Sequence, residues 1–209
     1  MAISSLSNFS VPVAGSNETL LMPKLKYRFR ITFSNFGIDA DTTELTKQVA
    51  EASRPKITFE NKIIDVYNSR VNYAGKWTWG AITLKLRDDV TGKVSDLVGK
   101  QNQKQFDFFE QSSAASAGDY KFMMIIEMLD GGNAASFKED TSVIEKWECY
   151  GCYLTDTSYN ALAYNAADAM TIDLTIQPDT CVQIKGGSLG TDSFASNRNP
   201  GTIATSVGS

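Results

Sequence analysis

The segment from Arg70 to Asp89 constrains this chain more than any other. From Ile82 onward it alternates without a break, with Ile82, Leu84 and Leu86 on one side and Thr83, Lys85 and Arg87 on the other. Successive side chains of an extended strand point to opposite faces, so this is the pattern of a strand with one face in a core and one in water. Just upstream, Trp77 and Trp79 stand two apart and project from one face, offering a large contact area. Gly75 and Gly80 mark places where the backbone turns or is closely approached. The segment reads as strand, tight turn, strand, and its aromatic face needs a covering partner.

The same alternation recurs. Between Lys26 and Phe33, residues Tyr27, Phe29, Ile31 and Phe33 share one face, and Lys26, Arg28, Arg30 and Thr32 the other. Between Ala169 and Gln177, Met170, Ile172, Leu174 and Ile176 alternate with Thr171, Asp173, Thr175 and Gln177, and Pro178 ends the run. The segment Val143 to Leu154 is expected to be its strand partner. Tyr120 to Leu129 is apolar on both faces, the signature of a doubly covered central strand. Gln48 to Ala52, Ile57 to Phe59 and Lys62 to Val66 are short strands, the last two separated by a turn at Asn61.

Gly37 to Thr46 and Ser112 to Gly118 read as loops. Helical spacing is found over Lys93 to Gln111, where Val94, Leu97, Val98, Phe108 and Phe109 fall together in one helix or two short ones. The expected fold is mainly β, an antiparallel β-sandwich or partial barrel with one flanking α-helix. Its domain spans 24–185, between an N-terminal arm (1–23) and a Gly/Ser/Thr-rich C-terminal arm (186–209). A chain of 209 residues suits one such domain.

The chain contains no histidine, which removes the commonest general base and side-chain metal ligand, and with them Ser-His-Asp and Cys-His catalysis. An enzymatic role and a cofactor are therefore not expected. The net charge of -4 disfavours tight binding to nucleic acid phosphates. Three cysteines suit a reducing compartment better than a disulfide framework. The first charged residue is Glu18, so a basic signal region is lacking, and no apolar run is long enough to span a membrane.

The remaining motifs are weak. Cys149-Tyr150-Gly151-Cys152 matches a redox or zinc spacing, yet in a strand residues three apart point to opposite faces, so two small strand residues are the preferred reading. Asp39, Asp41 and Glu44 lack the glycine and distal glutamate of a calcium loop. Gly186 to Thr191 lacks the lysine of a phosphate loop. Adjacent Asp88 and Asp89 cannot straddle a glycosidic bond. Trp77 and Trp79 among Arg70, Lys76, Lys85 and Arg87 have the composition of a single-strand stacking platform, but the acidic net charge favours a protein interface there.

Taken in order, several pieces resemble the tail tube protein of contractile-tailed bacteriophages. They are the strand Lys26 to Phe33, the short strand Gln48 to Ala52, the Ala74-Gly75 turn with its aromatic segment, the alternating strand and the Asp88-Asp89 exit into a helix. Later come the run Gly151-Cys152-Tyr153-Leu154-Thr155 and the strand Ala169 to Gln177. The similarity covers about three quarters of the chain; the arms and the loop at Ser112 to Gly118 are longer than a minimal member needs.

The resemblance implies hexameric rings whose sheets merge into a continuous barrel, stacked head to tail into the inner tube of the tail, with the helix outward toward the sheath protein. It also implies baseplate and tail terminator proteins at the ends, a tape measure protein in the lumen, DNA passing through without specific binding, no membrane, and a place in the virion after assembly in the host cytoplasm. On this reading Asp173, Thr171 and Thr175 face the lumen, while Trp77, Trp79, Lys26, Arg28 and Arg30 face subunit interfaces. Three alternatives stay open: a tube initiator or baseplate ring, the tube of a non-phage injection system such as type VI secretion, and a soluble ligand-binding β-barrel.

Overall fold

The computed structural model describes residues 23–37, 42–131, 143–165, 167–187 and 189–191. Both predicted arms fall almost wholly outside these, as do Asp39 and Asp41. The elements in chain order are β1 (Phe29–Ser34), α1 (Thr43–Gln48), β2 (Val49–Ala52), β3 (Ile57–Val66), β4 (Ser69–Trp79), β5 (Ile82–Arg87) and α2 (Lys93–Gln105). Then follow β6 (Phe106–Asp107), β7 (Ser112–Ser113), α3 (Ala117–Tyr120), β8 (Phe122–Leu129), β9 (Val143–Tyr159), β10 (Thr171–Gln177) and β11 (Thr180–Lys185).

One antiparallel path runs β1-β8-β9-β10-β5-β2, with β11 added beside β9. The long strand β9 serves two layers: its first half pairs with β8 and β11, its second half with β10. Inward side chains of both layers meet in one core, where Ile31, Met124 and Ile126 from one side join Ile82, Leu84, Leu86, Ile172, Leu174 and Ile176 from the other. Each such side chain removed from water contributes about 1.5–3 kcal/mol, which is why the alternating segments found in the sequence are the framework. Helix α2 covers one end through Val94, Leu97 and Val98. Beside them the buried Gln101 accepts from the Gly37 amide at 2.7 Å and donates to the Tyr120 carbonyl at 2.8 Å.

The mainly β sandwich agrees with expectation, but the path does not close into a barrel within one subunit. Its end strands β1 and β2 are not paired with each other. Several local features also differ. Ile57 to Val66 is one strand, because the irregularity between Phe59 and Asn61 is a bulge in its pairing with β4. The chain reverses at Tyr67-Asn68, not at Gly75; a Cβ on Gly75 would lie 3.1 Å from the Glu60 carbonyl oxygen, so this glycine permits close strand approach.

The first helical turn, α1, arises within the stretch read as loop, since Leu45 is drawn fully into the core. Helix α2 stops at Gln105, leaving Phe108 and Phe109 outside it. The loop near Ser112 holds a short helix capped by Ser116 and Asp119. Tyr27 lies in a turn ahead of β1 and is 71% exposed. On β8, Met123 and Ile125 are only half-buried, so the second face of this strand is partly open.

Cys149 and Cys152 correct the spacing argument made for them. Both are fully buried, because Gly151 adopts φ 64° and the register slips by one residue there, which turns Cys152 back to the core side. Cys181 lies directly across from Cys149 on β11, and all three thiols are free. Its hydrogen bond with Cys181, together with burial, pushes the Cys149 thiol up; burial pushes Cys152 up to about 12. Such thiols are inert hydrophobes. Among the described residues no group of three potential ligands can hold a metal ion.

Candidate assembly surfaces

Strand order places the outward side chains of β2, β5, β10 and the end of β9 on one polar face. The register sets Glu51, Lys85, Asp173 and Ser158 in one row across the strands, and Thr83, Thr175 and Asp156 in the next. Arg87 lies opposite Thr171. Three carboxylates thus stand against two cations. The Lys85 ammonium lies 3.7 Å from Asp173 Oδ1, an ion-pair distance too long for a hydrogen bond. Asn160 donates to Asp173 Oδ2 at 3.2 Å and to Thr171 Oγ1 at 2.5 Å. Thr155 donates to the Thr175 carbonyl at 3.0 Å. Asp173, Thr171 and Thr175 therefore form one ordered strip, and Glu51, Thr83 and Lys85 complete a depression of about 260 Å³ around two of them.

The second surface is the β3–β4 ribbon, which pairs with no other described strand. Its register puts Ile57, Phe59, Trp77 and Trp79 on one face near the root. There Trp79 is 8% exposed and belongs to the core, whereas Trp77 is 49% exposed and meets it edge-on at 6.0 Å. Beyond the bulge the same face carries Asn61, Asn72 and the Asp65–Arg70 ion pair, while Ile64, Val66, Val71 and Tyr73 occupy the opposite face near the tip. The apolar surface changes sides along the ribbon. A two-stranded ribbon with exposed apolar groups is marginal in water by itself, so its tip is built for a partner.

The basic residues near β1 do not form one row. Arg30 is bound to the buried Glu127 at 2.6 Å, Arg28 bonds the Asp130 carbonyl and lies 5.5 Å from the Tyr27 ring centre, and Lys26 sits in the preceding turn. A fourth cluster escapes sequence reading altogether. Glu145, 1% exposed, receives Lys24 at 2.6 Å, Arg54 and the Trp147 indole at 2.7 Å. Burial pushes its carboxyl up, but the hydrogen bonds from Lys24 and Trp147 and the charge of Arg54 outweigh that and hold it below the ordinary value. Lys24 and Arg54 lie far apart in the chain, so only folding assembles this clamp at the base of the β3–β4 ribbon. Its only trace in the sequence is a glutamate at an inward position of an alternating strand.

No family model matches the sequence, and no curated protein matches it. Among solved structures, the chain is similar to one in the cap of the anti-feeding prophage, the tube-terminating cap, with TM-score 0.54 and 12% identity over 84% of this chain and 99% of that one. It is similar to a chain of the sheath/tube terminator of an extracellular contractile injection system, with TM-score 0.53 and 13% identity over 79% and 99% of the two chains. A chain of the sheath-tube complex of the same kind of system gives TM-score 0.51 and 13% identity over 86% and 97%. The chain thus has the fold found in the tube and terminator parts of contractile injection systems.

Proposed function

We propose that this chain is a structural subunit of the inner tube of a contractile tail, and not an enzyme. Its copies form hexameric rings that stack head to tail. The observation that carries this reading is the four-stranded layer β2-β5-β10-β9. One face is core, the other is the polar strip around Asp173, and neither outer edge is paired along its length with another described strand. A sheet edge left open is a site for pairing with another chain. Joining β9 of one copy to β2 of the next, six times, closes the layers into a barrel whose polar faces line a channel. The β3–β4 ribbon then reaches the neighbouring ring, and a heterologous contact of this kind propagates as a filament.

In this tube Asp173, Thr171 and Thr175 face the lumen. Three carboxylates to two cations per copy leaves the wall weakly acidic, so polyanionic cargo slides past without phosphate contacts to hold it. Within a phage, that cargo is DNA ejected into the host, with the tape measure protein in the lumen beforehand and sheath, baseplate and terminator proteins as partners. The particle is assembled in the host cytoplasm. A second reading, the tube of an extracellular injection system, is favoured by the sources of the similar structures.

Negative-stain microscopy of the purified protein across concentrations, with light scattering, tests the proposal. Hollow tubes or stacked rings support it, isolated rings favour an initiator, and a strict monomer returns the chain to the ligand-binding class. Nuclease-protected nucleic acid in native particles separates the phage reading from the injection-system one.

A further inference from the structure

Two features of this subunit lie at opposite edges of the same layer and match in shape and charge. At the β9 edge, the β6–β7 finger projects from the end of α2 with Phe108 62% exposed and Phe109 95% exposed. The finger is held in place. Phe106 stacks on Phe108 at 5.7 Å, Asp107 accepts the amides of Phe109 and Glu110 at 2.9 and 3.0 Å, and Phe108 borders a groove shared with Leu154 to Thr157 of β9. From Gln105 to Tyr120 the chain carries Asp107, Glu110 and Asp119 and no lysine or arginine.

At the other edge, the gap between β1 and β2 is a cavity of about 820 Å³. Phe29, Val49, Ile126 and Met128 line its interior, and Lys26, Lys47, Arg54 and Arg87 stand around it, with Glu51 as the opposing charge. An acidic aromatic knob at one edge and a cation-rimmed apolar socket at the other are what a head-to-tail contact between identical subunits requires.

We propose that Phe108 and Phe109 of one copy insert into the socket between β1 and β2 of the next copy in the ring. This rests on the ring reading above and adds to it the residues that lock the seam. Edge pairing of β9 with β2 brings the knob, which borders β9, to the socket, which borders β2. Insertion buries two aromatic rings whose exposure in the monomer has no structural use, in the manner of interface anchors surrounded by a polar rim. Glu110 then meets the cationic rim.

The test uses the full chain. Phe108→Ala/Phe109→Ala is expected to abolish rings and tubes at concentrations where the wild type is fully assembled, while its thermal unfolding matches the wild-type monomer, since both side chains are solvent-exposed. Glu110→Lys is expected to raise the assembly midpoint by roughly tenfold through like-charge contact. A mixture of Phe109→Cys and Ala50→Cys chains, treated with a short bismaleimide, should give a cross-linked dimer that neither variant gives alone, the native thiols being buried. Wild-type rings with undiminished assembly of the double alanine variant, or without that cross-link, would overturn the knob and socket while leaving the ring reading intact. A wild type that remains monomeric at every concentration would overturn both.

Discussion

The Gln105 side chain donates to the Leu154 carbonyl at 3.0 Å and accepts the Leu154 amide at 2.8 Å, so one side chain takes the place of a neighbouring strand where β9 parts from β8. Both backbone groups would otherwise lose their partners at the rim of the core. Gln105→Ala is expected to destabilise the monomer by about 1–3 kcal/mol, the cost of leaving buried polar groups unpaired. Denaturant unfolding measures this. Gln105→Glu keeps the acceptor but loses the donor, and should fall between the two.

Glu145 is the electrostatic pivot of the fold. Glu145→Ala leaves the Lys24 and Arg54 charges and the Trp147 indole without their acceptor. It is expected to cost about 3–5 kcal/mol at neutral pH, reduced to the extent that Lys24 and Arg54 turn to water. The sign of its pH dependence follows from the depressed carboxyl. The stabilisation is complete above the unfolded value, near 4.5, and is lost as pH falls through the lower folded value. Unfolding curves at stepped pH should show the wild type losing stability below about pH 4.5 more steeply than Glu145→Gln; parallel curves would exclude the clamp.

Gly151 holds β9 in its two-layer path. A side chain here would adopt an unfavourable left-handed backbone and collide with the Asp179 carboxylate, which binds Lys121 at 2.5 Å. Gly151→Ala should therefore lower stability by about 1–2 kcal/mol from the backbone term alone, with a further loss from displacing Asp179. Its second signature is chemical: native-state alkylation of the cysteines, negligible in the wild type, should become measurable as Cys152 loses its inward placement.

Asp173→Asn separates lumen chemistry from folding. The Lys85–Asp173 pair is partly exposed, with side chains 43% and 42% accessible, so its loss should cost under about 1 kcal/mol. Tubes are expected to form as in the wild type while passage of polyanionic cargo slows. Failure of the variant to polymerise would place Asp173 at a subunit contact instead.

Much of the architecture was legible because burial imposes a period on an extended chain. Residues 82–87 and 171–177 alternate, and the structure makes them paired neighbours with Leu84 opposite Leu174 and Lys85 opposite Asp173. What failed were places where tertiary contact overrides local pattern. Leu45 is buried from a polar stretch, and β11 was not separated from the tail because its six residues show no clean alternation. Phe108 and Phe109 satisfied a helical period, yet Gln105 ends the helix by bonding β9, a contact 49 residues away.

The sequence by itself therefore determined a one-domain, mainly β chain without histidine chemistry, because composition and period-two alternation are local properties of the chain. Tertiary structure alone decided the inward turn of Cys152, the meeting of Lys24, Arg54 and Glu145, and the placing of an aromatic knob and a cationic socket at opposite edges of one layer. Each depends on strand register and on long-range pairing, and a shift of one residue in register would exchange the two faces of every strand.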